Sequence, residues 1–226
     1  MMLLRRTLTV FAAIGLLLAP VTAQTATAEP AKQTTAQTAD APAGRLTECS
    51  EADRHGDKRL GPEKLPLLGD VGFQLIGYRR TGALTEQRFL DTYYDPAASS
   101  WRYPPKNGYV LRPDGTPIQY VITLTPGKRI DRYGSEYGSF LAPKGSPYAS
   151  RAIPPQSLDS TPAASCNYHA YRVTKSFAVH SGPIAAWFAQ PGGGLQYQVD
   201  GALLPGSPGP VNVGWLIANG FLERLK

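Results

Sequence analysis

Glycine and proline punctuate this 226-residue chain at 23 and 21 positions, which leaves little room for long helices between them. The backbone is directed instead toward short strands joined by ordered loops. With 42% hydrophobic and 18% charged residues there is apolar material for one modest core and at most two domains. Period-two alternation marks the strands. Ile118, Tyr120, Ile122 and Leu124 follow the turn signal Pro113-Asp114-Gly115, and a second run covers Tyr168 to Phe177. In a third, Leu195, Tyr197 and Val199 point one way and Gln196 and Gln198 the other. The best helical segment opens with Thr85 as N-cap and runs through Phe89 and Leu90. After Thr125, through Asp131–Gly134 and Ala142–Gly145, no helical periodicity survives and ordered loops are expected. The tail, Val211 to Leu225, reads as a short helical turn or a strand pair broken at Asn219-Gly220. The expected class is α+β, mainly antiparallel β.

Residues 1–28 begin with Arg5 and Arg6, continue through an apolar run from Leu8 to Leu18, and end among small residues, the pattern of an export signal. That run falls short of the roughly 20 apolar residues a membrane span needs. Residues 29–44, rich in Ala, Thr, Gln and Pro, carry no large apolar side chain and read as a disordered leader. The folded part then divides into an accessory subdomain, 45–124, and a C-terminal domain, 125–226. The formal charge of +6 falls to +4 when Arg5 and Arg6 leave with the signal. Such a mild, scattered excess suits anionic small molecules and gives no reason to invoke nucleic acid. Cys49 and Cys166 are the two cysteines; in an exported protein an even pair is expected to form one disulfide, the alternative being two buried thiols. Neither has zinc-site spacing.

The sequence contains no HExxH, GxxxxGK[ST] or GxSxG. Gly192-Gly193-Gly194 precede a strand rather than a helix, so they are read as a tight turn or as a turn that brings backbone close to a ligand. Tyr78, Tyr93, Tyr94, Trp101, Tyr103 and Tyr109 are read as packing residues.

The run Asp131-Arg132-Tyr133-Gly134 through Phe140, Pro143-Lys144-Gly145 and Arg151 to Pro155 is followed by Tyr168-His169-Ala170-Tyr171 and then by Ser181-Gly182-Pro183 through Trp187-Phe188 to Gln196-Tyr197. From about Ile130 onward this ordered set resembles the tuberculosis necrotizing toxin (TNT) domain of bacterial NAD glycohydrolase toxins and secreted fungal NADases. The resemblance implies a secreted hydrolase that releases nicotinamide and ADP-ribose from NAD, or the corresponding products from NADP, without a cofactor. It places a catalytic glutamine at Gln196. It implies a mainly β catalytic domain. Toxin members travel with an immunity protein, a candidate partner that a short chain with its own signal need not have; a second copy of the chain is a further candidate, left open by the sequence. Some fungal members bind calcium near the C-terminus, but an isolated Glu223 beside basic residues is a weak cage, and no metal site is expected.

The residue chemistry fits this reading. Arg132 and Arg151 can grip a pyrophosphate through charge-assisted hydrogen bonds, or each can pair with a carboxylate such as Asp131 or Asp159. Gln196 can align a water or hold a ribose hydroxyl, and His169 can orient a hydroxyl, relay a proton or serve as a structural histidine. Tyr133, Tyr137 and Phe140 offer an aromatic wall for the cationic nicotinamide ring. Cleavage passes through an oxocarbenium-like state from which nicotinamide departs neutral, so no strong general acid is required. Rival readings are an ADP-ribosyltransferase using Glu136, a catalytically silent nucleotide-binding module, and a cyclase. The principal expectation is one cleft containing Arg132, Arg151 and Gln196.

Overall fold

The structure is a computed structural model that describes residues 46–207 and 209–225, all within one compact unit. The expected export signal and leader lie outside the described residues. Two short helices come first: α1 (Gly69–Gln74) and α2 (Glu86–Tyr93). The Thr85 hydroxyl accepts a hydrogen bond from the Arg88 N–H at 3.2 Å, which caps α2 where the sequence places its start. A hairpin of β1 (Tyr94–Asp95) and β2 (Ser100–Trp101) follows.

Seven strands then build one antiparallel sheet: β3 (Tyr120–Leu124), β4 (Arg129–Tyr133), β5 (Phe140–Pro143), β6 (Tyr168–Val173), β7 (Phe177–Pro183), β8 (Leu195–Gln198) and β9 (Leu222–Arg224). Their spatial order is β3-β7-β8-β5-β4-β6-β9. A last helix, α3 (Val213–Ala218), precedes β9, and the chain turns between them at Gly220 with φ +70°. Among the described residues no helix is long and apolar enough to cross a membrane.

Three expectations need correction. The stretch after Thr125 contains two strands, β4 and β5, whose apolar residues Ile130 and Leu141 drop into the core; only in β4 are the flanking positions, Arg129 and Asp131, polar. The single run Tyr168 to Phe177 is two strands, since Thr174 leaves the ladder and bonds to the Phe221 and Gly220 carbonyls. β3 does not bury one clean face: as a sheet edge it exposes both Tyr120 and Val121.

One face of the sheet carries Leu124, Ile130, Leu141, Tyr171, Val179 and Tyr197, and Val213 and Leu216 of α3 belong to the same cluster. Each such side chain taken fully out of water contributes about 1.5–3 kcal/mol. A second cluster holds Tyr133, Tyr148 and Leu158 with Cys49 and Cys166, which are joined by a disulfide across 117 residues. In a third, Phe89 and Leu90 of α2 meet Trp101 and Phe188. Strand β3 belongs to the 45–124 stretch, yet its ladder to β7 makes it part of the same sheet as the later strands.

Candidate active site

The site forms where β8 passes between β7 and β5. The alternation along β8 sends Tyr197 into the core and turns Gln196 to the opposite face, as the sequence pattern requires; Leu195, at the strand's start, is exposed. Gln196 is 8% exposed and lines a cleft with two lobes. The smaller lobe, about 200 Å³, is bordered by both Arg132 and Arg151, with Tyr133, Leu141, Pro154 and Ser157. The apolar lobe, about 410 Å³, is bordered by Pro104, Gly108, Ala185 and Phe188. Gln196, Arg151, Phe140, Tyr103, Ile153 and Ile184 line both, so the two lobes adjoin along these six residues.

Arg132 borders the smaller lobe just beyond the end of a ladder. The β4–β5 ladder ends at Asp131 opposite Ala142, and beyond it the Arg132 side chain donates from Nε to the Gly134 carbonyl (3.0 Å) and from Nη1 to the Phe140 carbonyl (2.8 Å). Gly138 leaves room for the guanidinium: a Cβ there would stand 2.3 Å from Nη2. Among the described residues Arg132 forms no ion pair, and burial lowers its pKa from the usual arginine value by disfavouring the charge. The nearby Tyr171 hydroxyl and Glu136 carboxyl oppose that shift without forming an ion pair with it.

Arg151 is placed differently. Its guanidinium, 5% exposed, lies 2.7 Å from Asp131 Oδ1, but its N–H groups donate to Gln74 Oε1 and the Ser146 carbonyl, so the contact with Asp131 is ionic rather than a hydrogen bond. It also stacks over Tyr133 at 5.2 Å. Pairing with Asp131, the alternative reading of the sequence, is therefore present here, and Arg151 borders the cleft as a pre-fixed charge. Tyr133 is buried by edge contacts with Tyr148 at 4.9 Å, and burial raises its hydroxyl pKa well above the ordinary value.

Arg132, Tyr133, Phe140, Arg151 and Gln196 thus share one cleft, whereas His169 and Tyr137 do not. His169 opposes Arg132 across β4–β6, but β6 lies on the far side of β4 from β5, and its imidazole lines a separate groove of about 770 Å³ with Glu136, Tyr137, Asn167 and Arg224. Burial lowers the His169 pKa, favouring the neutral ring. Tyr137 is 88% exposed and is no wall for a ring bound beside Gln196. Glu136 accepts from Tyr171 and Arg224, which hold its carboxyl below the usual range, and it too faces the separate groove. The residue required by the transferase reading is thereby removed from the cleft. Gly192 and Gly194 serve close approach to protein rather than to a ligand: a Cβ at Gly192 would meet the Ala185 carbonyl at 2.6 Å, and one at Gly194 the Ser150 carbonyl at 2.7 Å.

Sequence reading assigned Tyr103 to packing, yet it is 64% exposed and borders both lobes. Asn107 and Ile184 were not singled out at all. Ile184 lies within the motif run 181–188 without a role of its own, and no local pattern marks Asn107, which reaches the cleft through pairing of Tyr109 with Ile184 beside β7.

The tuberculosis necrotizing toxin family model matches residues 123–225. A conidial surface nicotinamide adenine dinucleotide glycohydrolase, nadA, of Aspergillus fumigatus is 43% identical over 173 residues, 75% of this chain and 70% of that protein. The chain belongs to the tuberculosis necrotizing toxin family. Among solved structures, tuberculosis necrotizing toxin complexed with its immunity factor is similar at 26% identity and a TM-score of 0.47, over 62% of this chain and 71% of that one. Rhs1-CT in complex with its cognate immunity protein is similar at 15% identity and a TM-score of 0.31, over 48% and 77%. The TNT family match begins after Tyr103, Asn107 and Gly108, so part of the cleft wall is built by residues ahead of it.

Proposed function

We propose that this chain is a secreted NAD(P) glycohydrolase that cleaves the bond between nicotinamide and ribose. The observation that carries the reading is the position of Gln196 at the junction of a cationic lobe and an apolar lobe. A dinucleotide has the matching polarity: its pyrophosphate suits Arg132 and Arg151, its nicotinamide suits the apolar lobe with Phe140 and Phe188, and the ribose between them falls at Gln196. The name of the Aspergillus relative, a surface NAD glycohydrolase, supports both the activity and a location outside the cell.

The chemistry follows from charge. The nicotinamide ring is cationic before cleavage and neutral afterward, while positive charge moves onto the ribose. The cleft contributes by holding the pyrophosphate through Arg132 and Arg151 and by placing the Gln196 amide beside the carbon that becomes electron-poor. An amide oxygen can stabilise that carbon's charge or orient the attacking water, and neither role needs a titrating group. Gln196→Ala should cut nicotinamide release from NAD by about 100-fold or more, the usual effect of losing one transition-state contact. The assay pairs purified wild type with the variant, both checked for a cooperative melt. Release unchanged by the substitution would remove Gln196 from the mechanism; NAD binding without release in the wild type would favour the silent nucleotide-binding module.

A further inference from the structure

Gln196 is held by a residue outside the family-matched stretch. Its Nε2 lies 2.9 Å from the main-chain carbonyl of Asn107. A carbonyl can only accept, so the amide atom facing it must be the nitrogen, which leaves Oε1 as the acceptor end of the amide; the buried Tyr109 hydroxyl is a second hydrogen-bond partner of the same side chain. The carbonyl is itself fixed. Asn107 sits in a 3-10 turn, Lys106–Gly108, with φ 57° and ψ 25°. The turn is anchored by the Ala185 N–H on the Gly108 carbonyl at 2.8 Å and by the Val110 N–H on the Pro183 carbonyl at 2.9 Å. Asn107 Nδ2 adds a contact to Gln198 Oε1 at 3.3 Å.

The geometry points to Asn107 as a positioning residue for the reaction: its main-chain carbonyl locks the Gln196 amide so that the oxygen, not the NH2, is presented to the reacting centre. This rests on the NAD glycohydrolase reading. It extends that reading by making the segment before residue 123 part of the catalytic apparatus, and by assigning the acceptor end of the amide to the chemistry.

Glutamate at the same position has the shape of glutamine and tests the lock. An ionised carboxylate is acceptor-only and would be repelled by the Asn107 carbonyl. A protonated one donates its O–H to that carbonyl and offers its C=O to the cleft, as Gln196 does. Burial beside a carbonyl raises the carboxyl's pKa from the usual glutamate value of about 4.3, while Arg132 and Arg151 in the same cleft lower it, so the pH of the recovery reads the balance between them. With NAD as substrate and the full chain as enzyme, Gln196→Glu should lose about 100-fold in kcat at pH 8. It should regain up to about tenfold for each unit of acidification until the group is protonated. The wild type should lack that recovery, and Gln196→Met should not recover at all. A Gln196→Glu profile that stays flat, or full activity of that variant at pH 8, overturns the inference. Asn107→Val provides a second test, because a β-branched residue resists φ near +57° and shifts the carbonyl. We expect kcat to fall about tenfold or more with KM within about threefold; a folded Asn107→Val enzyme with unchanged kcat also overturns it. A wild type that releases no nicotinamide would instead sink the functional reading itself.

Discussion

Asp131 and Arg151 form the most buried ion pair among the described residues, at 0% and 5% side-chain exposure. Burial pushes the Asp131 carboxyl above its ordinary range, and Arg151, the Gly145 N–H and the Tyr168 hydroxyl oppose the shift. Removing one partner strands the other. Arg151→Ala should cost about 3–5 kcal/mol in a urea melt, whereas Asp131→Asn combined with Arg151→Met should restore much of that stability without restoring nicotinamide release. Equal stability of Arg151→Ala and wild type would mean that the carboxylate is not confined as described. Asp159 obeys a different balance. Burial and the nearby Asp53 push its carboxyl up to about 6, and its Oδ2 has no hydrogen-bond partner among the described residues. A raised folded-state pKa makes the native state hold its proton longer than the unfolded chain does. The contribution is therefore present below pH 4 and is lost as pH rises to about 6. Asp159→Asn should stabilise by about 1 kcal/mol at pH 7.5, the half-buried position discounted, and by little at pH 4. Melting curves at the two pH values test the sign.

At the scale of elements, the β4–β5 connection decides where Arg132 points. Residues 134–139 wrap its guanidinium, and α3 secures that wrap from outside through the Val213 N–H on the Gly138 carbonyl and the Gly214 N–H on the Glu136 carbonyl. A methyl group at position 138 would meet Arg132 Nη2 at 2.3 Å and has nowhere to go unless the guanidinium moves. Gly138→Ala should therefore raise KM for NAD about tenfold, the worth of one charge-assisted contact, with a smaller effect on kcat. Steady-state kinetics on a variant with wild-type melting decide it; an unchanged KM would separate Arg132 from substrate binding. The connection also shows what local pattern reading leaves out. Alternation identified β8 and the face of Gln196, because one side of that strand is core. It missed β4 and β5 as strands, because Arg129, Asp131 and Arg132 break the apolar signal of β4 and because β5, four residues ending in Pro143, is too short to show a period.

Across the whole molecule, what was legible in the sequence was the chemistry, and what was not was the assembly. The motif runs marked Arg132, Arg151 and Gln196, which the sheet does bring to one cleft; they also marked His169 and Tyr137, which sheet order sends to another groove. Sequence carries no strand order, so a residue one strand too far from β5 looks the same as one that reaches the cleft. Tyr103 and Asn107 were missed for the converse reason, arriving from about ninety residues upstream of Gln196 through pairing visible only in three dimensions. The Cys49–Cys166 bridge is long-range as well, yet it was anticipated because cysteine pairing requires only an even count and an oxidising destination. The bridge lies in the cluster of Tyr133, Tyr148 and Leu158, while Gln196 is set by β8 and the Asn107 turn. It should therefore act on stability more than on catalysis. Replacing both cysteines with alanine removes a constraint on a 117-residue span of the unfolded chain and should lower stability by about 2–5 kcal/mol. The folded fraction at 25 °C should keep its kcat for nicotinamide release. Denaturant titration beside kinetics separates the two effects: a kcat that falls while the variant is still fully folded would show that the bridge shapes the cleft through Tyr133 rather than merely holding the chain together.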